Sequence, residues 1–344
     1  MKPPLALLLF LNVLFLWQNC LVAEVKRYKA DVCVYGGTAS GVMAAVAAHK
    51  EGSKVILVEP TRWLGGMTGG GINHLDWGKG ETVGGSTYKI LMEGLKDQKR
   101  AHGGHAKHGI GNKQYRERFK KLVKDRGITV IYDHRVGKVQ VGDETFDKPT
   151  RQQPIAMGEK IASKNKINSI QSIFLDYAPV DETGCPIPEP KKLNFITVSA
   201  KVFIDCSYEG DLLAMSGVRY TWGRESREHY DESLAGVRPS LWIHDIDPYV
   251  EPGNAESGLV PFVQDRKIGP LGSADSLTMG YCFRHEFDMS GKGIPIPEPT
   301  NYDPAEFEVY RRAIGDGVDI FSNRHMRTTL NKFTVHKKAP FVGG

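Results

Sequence analysis

An α/β fold, built on a parallel sheet with helices packed against it, is predicted by three observations. Residues 30–60, ADVCVYGGTASGVMAAVAAHKEGSKVILVEP, read as a strand, a glycine-rich turn, a helix and a second strand that ends on an acid. Far downstream, KVFIDCSYEGDLLA at 201–214 repeats the order of strand, turn and helix start. Between the two lie short apolar runs separated by turn residues, the pattern of an antiparallel meander inserted into the sheet.

Taken in order, the chain opens on a segment unlike the rest. Lys2 precedes an apolar run from Leu5 to Trp17, and Val22–Ala23 offers a cleavage point. Residues 1–23 therefore read as a secretory signal peptide, the run being too short for a membrane span. The expected destination is periplasmic or extracellular. An uncleaved N-terminal membrane anchor is the alternative, because Leu21 at −3 departs from the small-residue pattern.

The first strand is carried by Val32 to Tyr35, a short apolar run of the kind buried in parallel sheets. Gly36, Gly37 and Gly41 punctuate the turn, with Thr38 where a second glycine is usual. Val42 to His49 is alanine-rich and suits a helix lying close on a sheet. Gly52 ends it, and Val55 to Val58 forms the next strand before Glu59. A helix N-terminus presents unpaired N–H groups and partial positive charge, which suit a pyrophosphate, and glycines let backbone and anion approach. Glu59, 23 residues after Gly36, stands where a carboxylate accepts hydrogen bonds from a ribose 2′-hydroxyl. The arrangement predicts a dinucleotide site.

TRWLGGMTGGGINHLDWG follows, with five glycines between Gly65 and Gly71. Its Trp63, Leu64, Met67 and Trp77 are poor choices for a solvated linker, so the segment is expected to lie along an extended cofactor. Thr87 to Lys99 reads as a helix. His102, His105 and His108 share a three-residue spacing, but glycines and the lack of a neighbouring acid favour an exposed loop over a metal site. Asn112 to Arg126 has helical periodicity, with Tyr115, Phe119, Leu122 and Val123 on one side. Strands are expected at Ile128–Tyr132, Val136–Val141, Ile167–Tyr177 and Leu193–Val198, with a long polar loop over Asp143–Lys166. Val202 to Ile204 is a further short strand closed by Asp205, and Gly210–Asp211 opens a helix.

From Gly217 the pattern changes to proline- and glycine-punctuated sequence, with a helix expected over Tyr302–Ile314. The expected organisation is a signal peptide (1–23), a nucleotide-binding domain (24–216, with the polar loop and meander inserted at about 136–198) and a second α+β substrate or cap domain (217–344). In the RES segment, Arg224 and Glu225 are candidate substrate-binding residues for an anionic or polyol ligand. His74 and Asp76, just after the second glycine cluster, are the candidate catalytic base and hydrogen-bond partner.

Composition excludes several classes. With 40% hydrophobic and 25% charged residues, the 344-residue chain has the make-up of a globular protein, and its net charge of +5 is small for that length. No sustained basic stripe exists, so neither nucleic acid nor a membrane surface is implied as a partner. Five cysteines include no CxxC pair, which leaves no zinc ribbon or cysteine-ligated cluster. Cys33 and Cys206 read as buried free thiols; Cys185 and Cys282 sit in loops, and whether they pair is left open.

The segments DVCVYGGTASGVMAAVAA, VILVEP, LGGMTGGGI and KVFIDCSYEGDLLAMSGV resemble the bacterial FAD-dependent oxidoreductase family. That family belongs to the glutathione-reductase-like FAD-binding flavoproteins and is often grouped with heterodisulfide-reductase-like proteins. The resemblance covers residues 30–95 and 195–240 closely and the remainder loosely. It implies a Rossmann-like domain binding FAD in an extended conformation. Gly36, Gly37, Thr38 and Gly41 would line the pyrophosphate, threonine at the second position being a common variation in the family. Glu59 would bind the adenosine ribose, and Gly65, Gly66, Met67 and Thr68 would pass along the flavin side. Val136 matches the backbone position at the adenine, and Asp205, Gly210 and Asp211 match the second nucleotide-domain motif. The late glycine–aspartate segment of such flavoproteins has no convincing copy before Gly344, so the chain is read as truncated relative to them. No cysteine cluster accompanies the iron–sulfur clusters of the wider group, which a partner would have to supply.

The function so implied is hydride transfer from a small organic substrate to FAD, with reoxidation by an unknown electron acceptor. The alternatives are an NAD-binding Rossmann dehydrogenase, and a truncated or degenerate flavoprotein acting as a non-catalytic binding module.

Overall fold

The computed structural model describes residues 25–70, 85, 86, 90, 112–147, 169–182, 184–216, 218, 220–238, 246–263, 265, 268–277, 283–288, 298, 301–316, 326–329 and 332–337. The signal segment, His74, Asp76, most of the helix expected at Thr87–Lys99, the His102–His108 loop, Cys20 and Cys282 lie outside these residues. Two compact units are present, the first holding the described residues up to Tyr220 and the second those from Thr221. No helix among the described residues is long and apolar enough to cross a membrane.

The first unit is organised by strand β1 (Lys26–Tyr35), whose alternation sends Val32 and Val34 to one face and Cys33 and Tyr35 to the other. Helix α1 (Ala39–Lys50) follows, and its small residues let Gly41, Val42, Ala45 and Val46 press onto the sheet. Strand β2 (Val55–Glu59) is buried along its whole length, as a central parallel strand covered on both faces must be. A one-turn helix α2 (Gly66–Gly70) precedes α3 (Asn112–Lys124). Tyr115, Phe119 and Val123, at helical spacing, are buried with Val32, Val34 and α1 in one core layer. Each such side chain contributes about 1.5–3 kcal/mol by leaving water.

Strand β3 (Thr129–Tyr132) then joins the edge of the sheet. β4 (His134–Val141), β5 (Glu144–Asp147), β6 (Ile170–Tyr177) and β7 (Lys192–Asp205) form the expected meander. The seven strands lie in the order β3-β2-β1-β7-β6-β4-β5. The pairings β3–β2, β2–β1 and β1–β7 are parallel, and those from β7 to β5 are antiparallel. The other core layer, with Tyr35, Val136, Val139, Leu175, Val198 and Leu212, fills the face under the meander and under helix α4 (Asp211–Met215).

Two expectations change. Leu193–Val198 and Val202–Ile204 are not separate strands; they are halves of β7, which pairs with β6 over residues 192–199 and with β1 over 196–205. The polar loop expected from Asp143 begins instead as β5, a fully exposed edge strand closing a hairpin over Gly142, whose φ of 61° suits the turn.

The second unit holds a short helix α5 (Arg227–Tyr230), a 3₁₀ turn at Pro304–Phe307 and helix α6 (Glu308–Gly315), the last two together close to the helix expected at Tyr302–Ile314. Its three-stranded antiparallel sheet places β10 (Lys332–Lys337) between β8 (Phe283–Asp288) and β9 (Met326–Thr329).

Candidate functional site

The carboxyl ends of β1, β2 and β7 converge on the turn into α1. Thr38 caps the helix: its hydroxyl accepts from the Gly41 amide at 3.2 Å and donates to the Cys206 carbonyl at 2.8 Å. The Thr38 carbonyl receives the Val42 amide. That leaves the Ala39 and Ser40 amides without an acceptor among the described residues, at a point where Ser40 is exposed. These donors lie at the partial positive end of the helix, the chemistry that receives a phosphate. Ser40 carries a hydroxyl there as well, 2.9 Å from that of Thr38.

The glycines around the turn are demanded by close packing. A Cβ on Gly41 would stand 1.9 Å from the Gly36 carbonyl oxygen, and one on Gly36 would stand 2.6 Å from the Ser207 amide nitrogen. Gly37 has the Glu59 carboxylate and Leu64 within 2.8 Å of the same position. The second glycine cluster joins this cradle directly: the Gly65 amide donates to the Gly37 carbonyl at 2.8 Å, and Thr38 and Gly65 form a parallel bridge. Met67 and Thr68 follow in α2, with Met67 half exposed and its amide donating to the Tyr208 hydroxyl at 2.8 Å.

Glu59, 6% exposed, ends β2 beneath the turn. Its Oε2 accepts from the Gly37 amide at 2.6 Å, and Oε1 accepts from the Thr61 amide at 2.7 Å and hydroxyl at 2.5 Å. Burial holds its carboxyl above the ordinary range, and the Thr61 and Gly37 hydrogen bonds oppose that rise. A carboxylate offers about four acceptor directions, so three internal donors leave about one for a sugar hydroxyl. The same negative charge rejects a 2′-phosphate at this position.

Next to Glu59, Arg62 donates through Nε to both oxygens of Asp133 at 3.0 Å, tying the β2 exit to the β3–β4 corner. Trp63 is stacked under Arg116, 3.9 Å from guanidinium carbon to ring centroid. Val136 lies in β4 with its side chain buried and its amide donating to the Tyr35 hydroxyl at 3.2 Å, so that amide already has a partner.

The second motif sits against the first. Asp205 accepts from the Ser207 amide and hydroxyl through Oδ1 and from the Leu213 amide through Oδ2. It thus shapes the 206–208 turn and caps α4, a role Gly210 cannot take without a side chain. Gly210 instead supplies left-handed backbone at φ 68°, and Asp211 is the first residue of α4. Cys206 lies within this turn, half-buried, its thiol pushed up by burial; Cys33 in the core is pushed up to about 12 by the same cause. Both are uncharged packing groups near neutral pH.

In the second unit, Arg224 and Asp275 are joined twice. Their backbones exchange hydrogen bonds of 2.9 and 3.1 Å, and the guanidinium holds the carboxylate through Nε at 2.9 Å and through Nη2. Arg224 therefore clamps two loops, and its charge is compensated within the unit. Glu225 lies beside it, partly buried. Among the described residues no group of three or more His, Cys, Asp or Glu is placed to hold a metal ion.

Sequence reading brought out the glycines, Thr38 and Glu59, and the structure assembles them. It missed Thr61, the Arg62–Asp133 pair, the Trp63–Arg116 stack and Tyr208. Of these only Thr61 had a local signal, a hydroxyl two residues after a strand-ending acid.

A family model described as FAD dependent oxidoreductase matches residues 31–163 and 188–338. No curated protein matches the chain. Among solved structures, L-proline dehydrogenase from P. horikoshii is similar at 15% identity and a TM-score of 0.27, covering 59% of this chain and 24% of its own. A geranylgeranyl bacteriochlorophyll reductase-like protein from Thermoplasma acidophilum is similar at 14% identity and a TM-score of 0.30, covering 56% and 43%. Bacillithiol disulfide reductase from Bacillus cereus, at 14% and 0.28, covers 52% and 39%. The chain thus spans less than half the length of each of these three proteins.

Proposed function

The chain belongs to the FAD dependent oxidoreductase family, and from that premise we propose that it binds FAD at the β1–α1 turn and oxidises a small organic substrate. The residues present fit such a group. The observation that carries the reading is the cradle itself. Gly36, Gly37 and Gly41 leave no room for side chains, the Ala39 and Ser40 amides have no acceptor among the described residues, and a buried carboxylate stands at the end of the next strand.

Bound flavin supplies the hydride acceptor. The chain's own residues do the rest. The Ala39 and Ser40 amides and the Ser40 hydroxyl would hold the pyrophosphate oxygens. Glu59, oriented by Gly37 and Thr61, would accept a ribose hydroxyl. Asp205 keeps the 206–208 turn pressed on Gly36, and Tyr208 holds the Met67 amide at the second glycine cluster. His74 is our candidate for the group that takes the substrate proton, with Asp76 its hydrogen-bond partner, and the electron acceptor is a second partner to be identified. We also propose that the segment before residue 24 directs export and is removed, for which N-terminal sequencing of the secreted form is the check.

Flavin binding is tested by a visible spectrum of the purified chain and of the chain reconstituted with FAD. Bands of bound flavin support the reading. Their absence, alongside thermal stabilisation by NAD or NADP, would overturn it in favour of a dehydrogenase.

A further inference from the structure

We propose that His134 is an acid-sensitive latch, its neutral ring holding the β3–β4 corner closed and its protonation releasing that corner. His134 Nδ1 lies 2.6 Å from the Tyr132 carbonyl oxygen. A carbonyl only accepts, so Nδ1 carries the ring proton and Nε2 is left as an acceptor. That Nε2 is buried and has no hydrogen-bond partner among the described residues. The ring lies nearly parallel to Phe195, 6.0 Å between centroids, and tilted against Tyr177 at 5.2 Å. Its bed is aromatic.

A proton on Nε2 would bring a charge and an N–H to a place where nothing accepts them, and both are costly away from water. The charged groups around the ring are engaged elsewhere or are cations. On its own side of the corner, Asp133 holds Arg62, and Arg135 donates to the Ile187 and Pro188 carbonyls. On β6, Asp176 accepts the Asn194 amide at 2.8 Å. From β1 and β7, the ammonium groups of Lys26 and Lys192 stand 5.7 and 4.4 Å from the Phe195 ring centroid. Burial weighs most and keeps the His134 pKa below the ordinary 6.5; Lys26 acts the same way, while the Tyr132 hydrogen bond, Asp133 and Asp176 oppose it. The ring is thus neutral at neutral pH, and in acid it must leave its bed to take up a proton.

The corner it staples is held under constraint. Asp133, between the two bonded residues, has a φ of 62°, left-handed backbone that a non-glycine residue keeps only where its surroundings fix it. Three contacts meet there: the Asp133 carbonyl receives the Ala178 amide at 2.9 Å, its carboxylate receives Arg62, and its amide donates to the Thr61 carbonyl at 3.5 Å. Thr61 in turn donates twice to Glu59. Release of the ring therefore loosens the support of Glu59, a contiguous route of packed and bonded groups. Only this last step rests on the reading of the nucleotide cradle.

The test uses the full chain and His134→Asn, whose amide keeps a donor near Nδ1 and does not titrate. Neutral His134 contributes in full above pH 6.5, and that contribution is lost as pH falls from 6.5 towards the folded value. The folding constant of the wild type relative to His134→Asn should accordingly drop by up to about tenfold per pH unit across that window. Hydrogen exchange at the Ala178 amide, corrected for its intrinsic pH dependence, should report a larger opening constant at about pH 5.5 than at about pH 7.5 in the wild type only. FAD titrations at the same two pH values should show an acid loss of affinity about threefold or more larger in the wild type than in His134→Asn. Imidazole NMR of the wild type needs no variant, and should show the Nδ1–H tautomer at neutral pH and a midpoint below 6.5. An Nε2–H tautomer, a midpoint at or above 6.5, Ala178 exchange that rises equally in both proteins, or a relative stability that is flat or rises in acid would each overturn the latch. Equal acid losses of FAD affinity would overturn its coupling to Glu59. No FAD binding at either pH would fault the cradle, while the latch stands or falls on the exchange and NMR readings.

Discussion

Replacing Gly41 by alanine tests the cradle at its tightest point. The added methyl would stand 1.9 Å from the Gly36 carbonyl oxygen, against the 3.4 Å at which ordinary contact begins. Helix α1 must then retreat from the β1 exit by about 1.5 Å, because the obstacle is backbone and has no rotamer to change. The Cβ also comes within 3.1 Å of the Cys206 side chain, so movement toward the second motif is blocked as well. Retreat breaks the Gly41–Thr38 cap, worth about 1 kcal/mol, and overpacking adds about 1–3 kcal/mol. The expected loss is roughly 2–4 kcal/mol of unfolding free energy, read from urea titrations followed by far-UV circular dichroism.

Flavin binding should suffer further, since the Ala39 and Ser40 amides move with the helix. An affinity loss of about a hundredfold, or about 2.8 kcal/mol, is expected from FAD titrations followed by quenching of flavin fluorescence. Gly66→Ala provides the companion measurement if the first variant does not fold. There the methyl meets the Tyr208 hydroxyl at 2.3 Å, the far end of a side chain that can swing away. Its cost is set mainly by the left-handed backbone at φ +50°, about 1–2 kcal/mol. Gly41→Ala protein that folds and binds FAD within about threefold of the wild type would refute the reasoning.

Glu59→Gln places an amide nitrogen against the donors of either Gly37 or Thr61, and should weaken FAD binding about tenfold or more while removing a buried charge. Because burial raises the Glu59 carboxyl above its ordinary value, its contribution to stability is full below pH 4.5 and lost as pH rises through the folded value. The stability of the wild type relative to Glu59→Gln should therefore fall from pH 4.5 towards neutrality, and a difference that widens with pH would count against the assignment. Glu308 behaves oppositely: hydrogen bonds from Arg311 and Arg312 lower its carboxyl to about 2. Its contribution is present above pH 4.5 and lost as pH falls through about 2, so Glu308→Gln and wild type should converge in acid unfolding. Arg62→Gln removes an ion pair whose arginine side chain is 60% exposed and screened by solvent, so the urea midpoint should move little, and a large shift would count against this reading.

What was legible in the sequence follows from the range of the forces involved. The β1–α1–β2 unit and α3 rest on periodic apolar residues and local turn chemistry, so Val32, Val34, Phe119 and Val123 announce their faces without knowledge of the fold. β7 was read as two strands because no local pattern marks its middle, and only the partners on its two sides make it continuous. β5 was read as loop because an edge strand with every residue exposed carries no apolar alternation. The site divides in the same way. Gly36, Gly37, Gly41 and Glu59 lie within one short unit and their spacing speaks for them. Tyr208 meets Met67 across 141 residues, and Asp275 meets Arg224 across 51, so neither contact had a local trace. Arg224 accordingly read as a ligand group when its partner was already in the chain.

The distribution of hydrogen bonds also argues that the two nucleotide motifs have unequal roles. In the first, the Ala39 and Ser40 amides have no acceptor among the described residues, and Glu59 retains about one acceptor direction. In the second, Asp205 has both oxygens engaged by Ser207 and Leu213, and the Cys206 amide is held by the Tyr35 carbonyl at 2.7 Å. Asp205 and Glu59 each receive three internal donors, so the contrast lies in the backbone amides: those of Cys206 and Ser207 are spent within the chain, and Asp205 serves as a brace. The Cys206–Ser207 backbone that it braces stands where any side chain on Gly36 would collide, and Tyr208 stands against Gly66. The 205–211 segment thus acts on the nucleotide site from behind, by fixing how close the glycine turns can lie. A change at Asp205 should accordingly alter FAD affinity through the position of the turn, together with stability, whereas a change at Ser40 should alter affinity and leave stability nearly untouched.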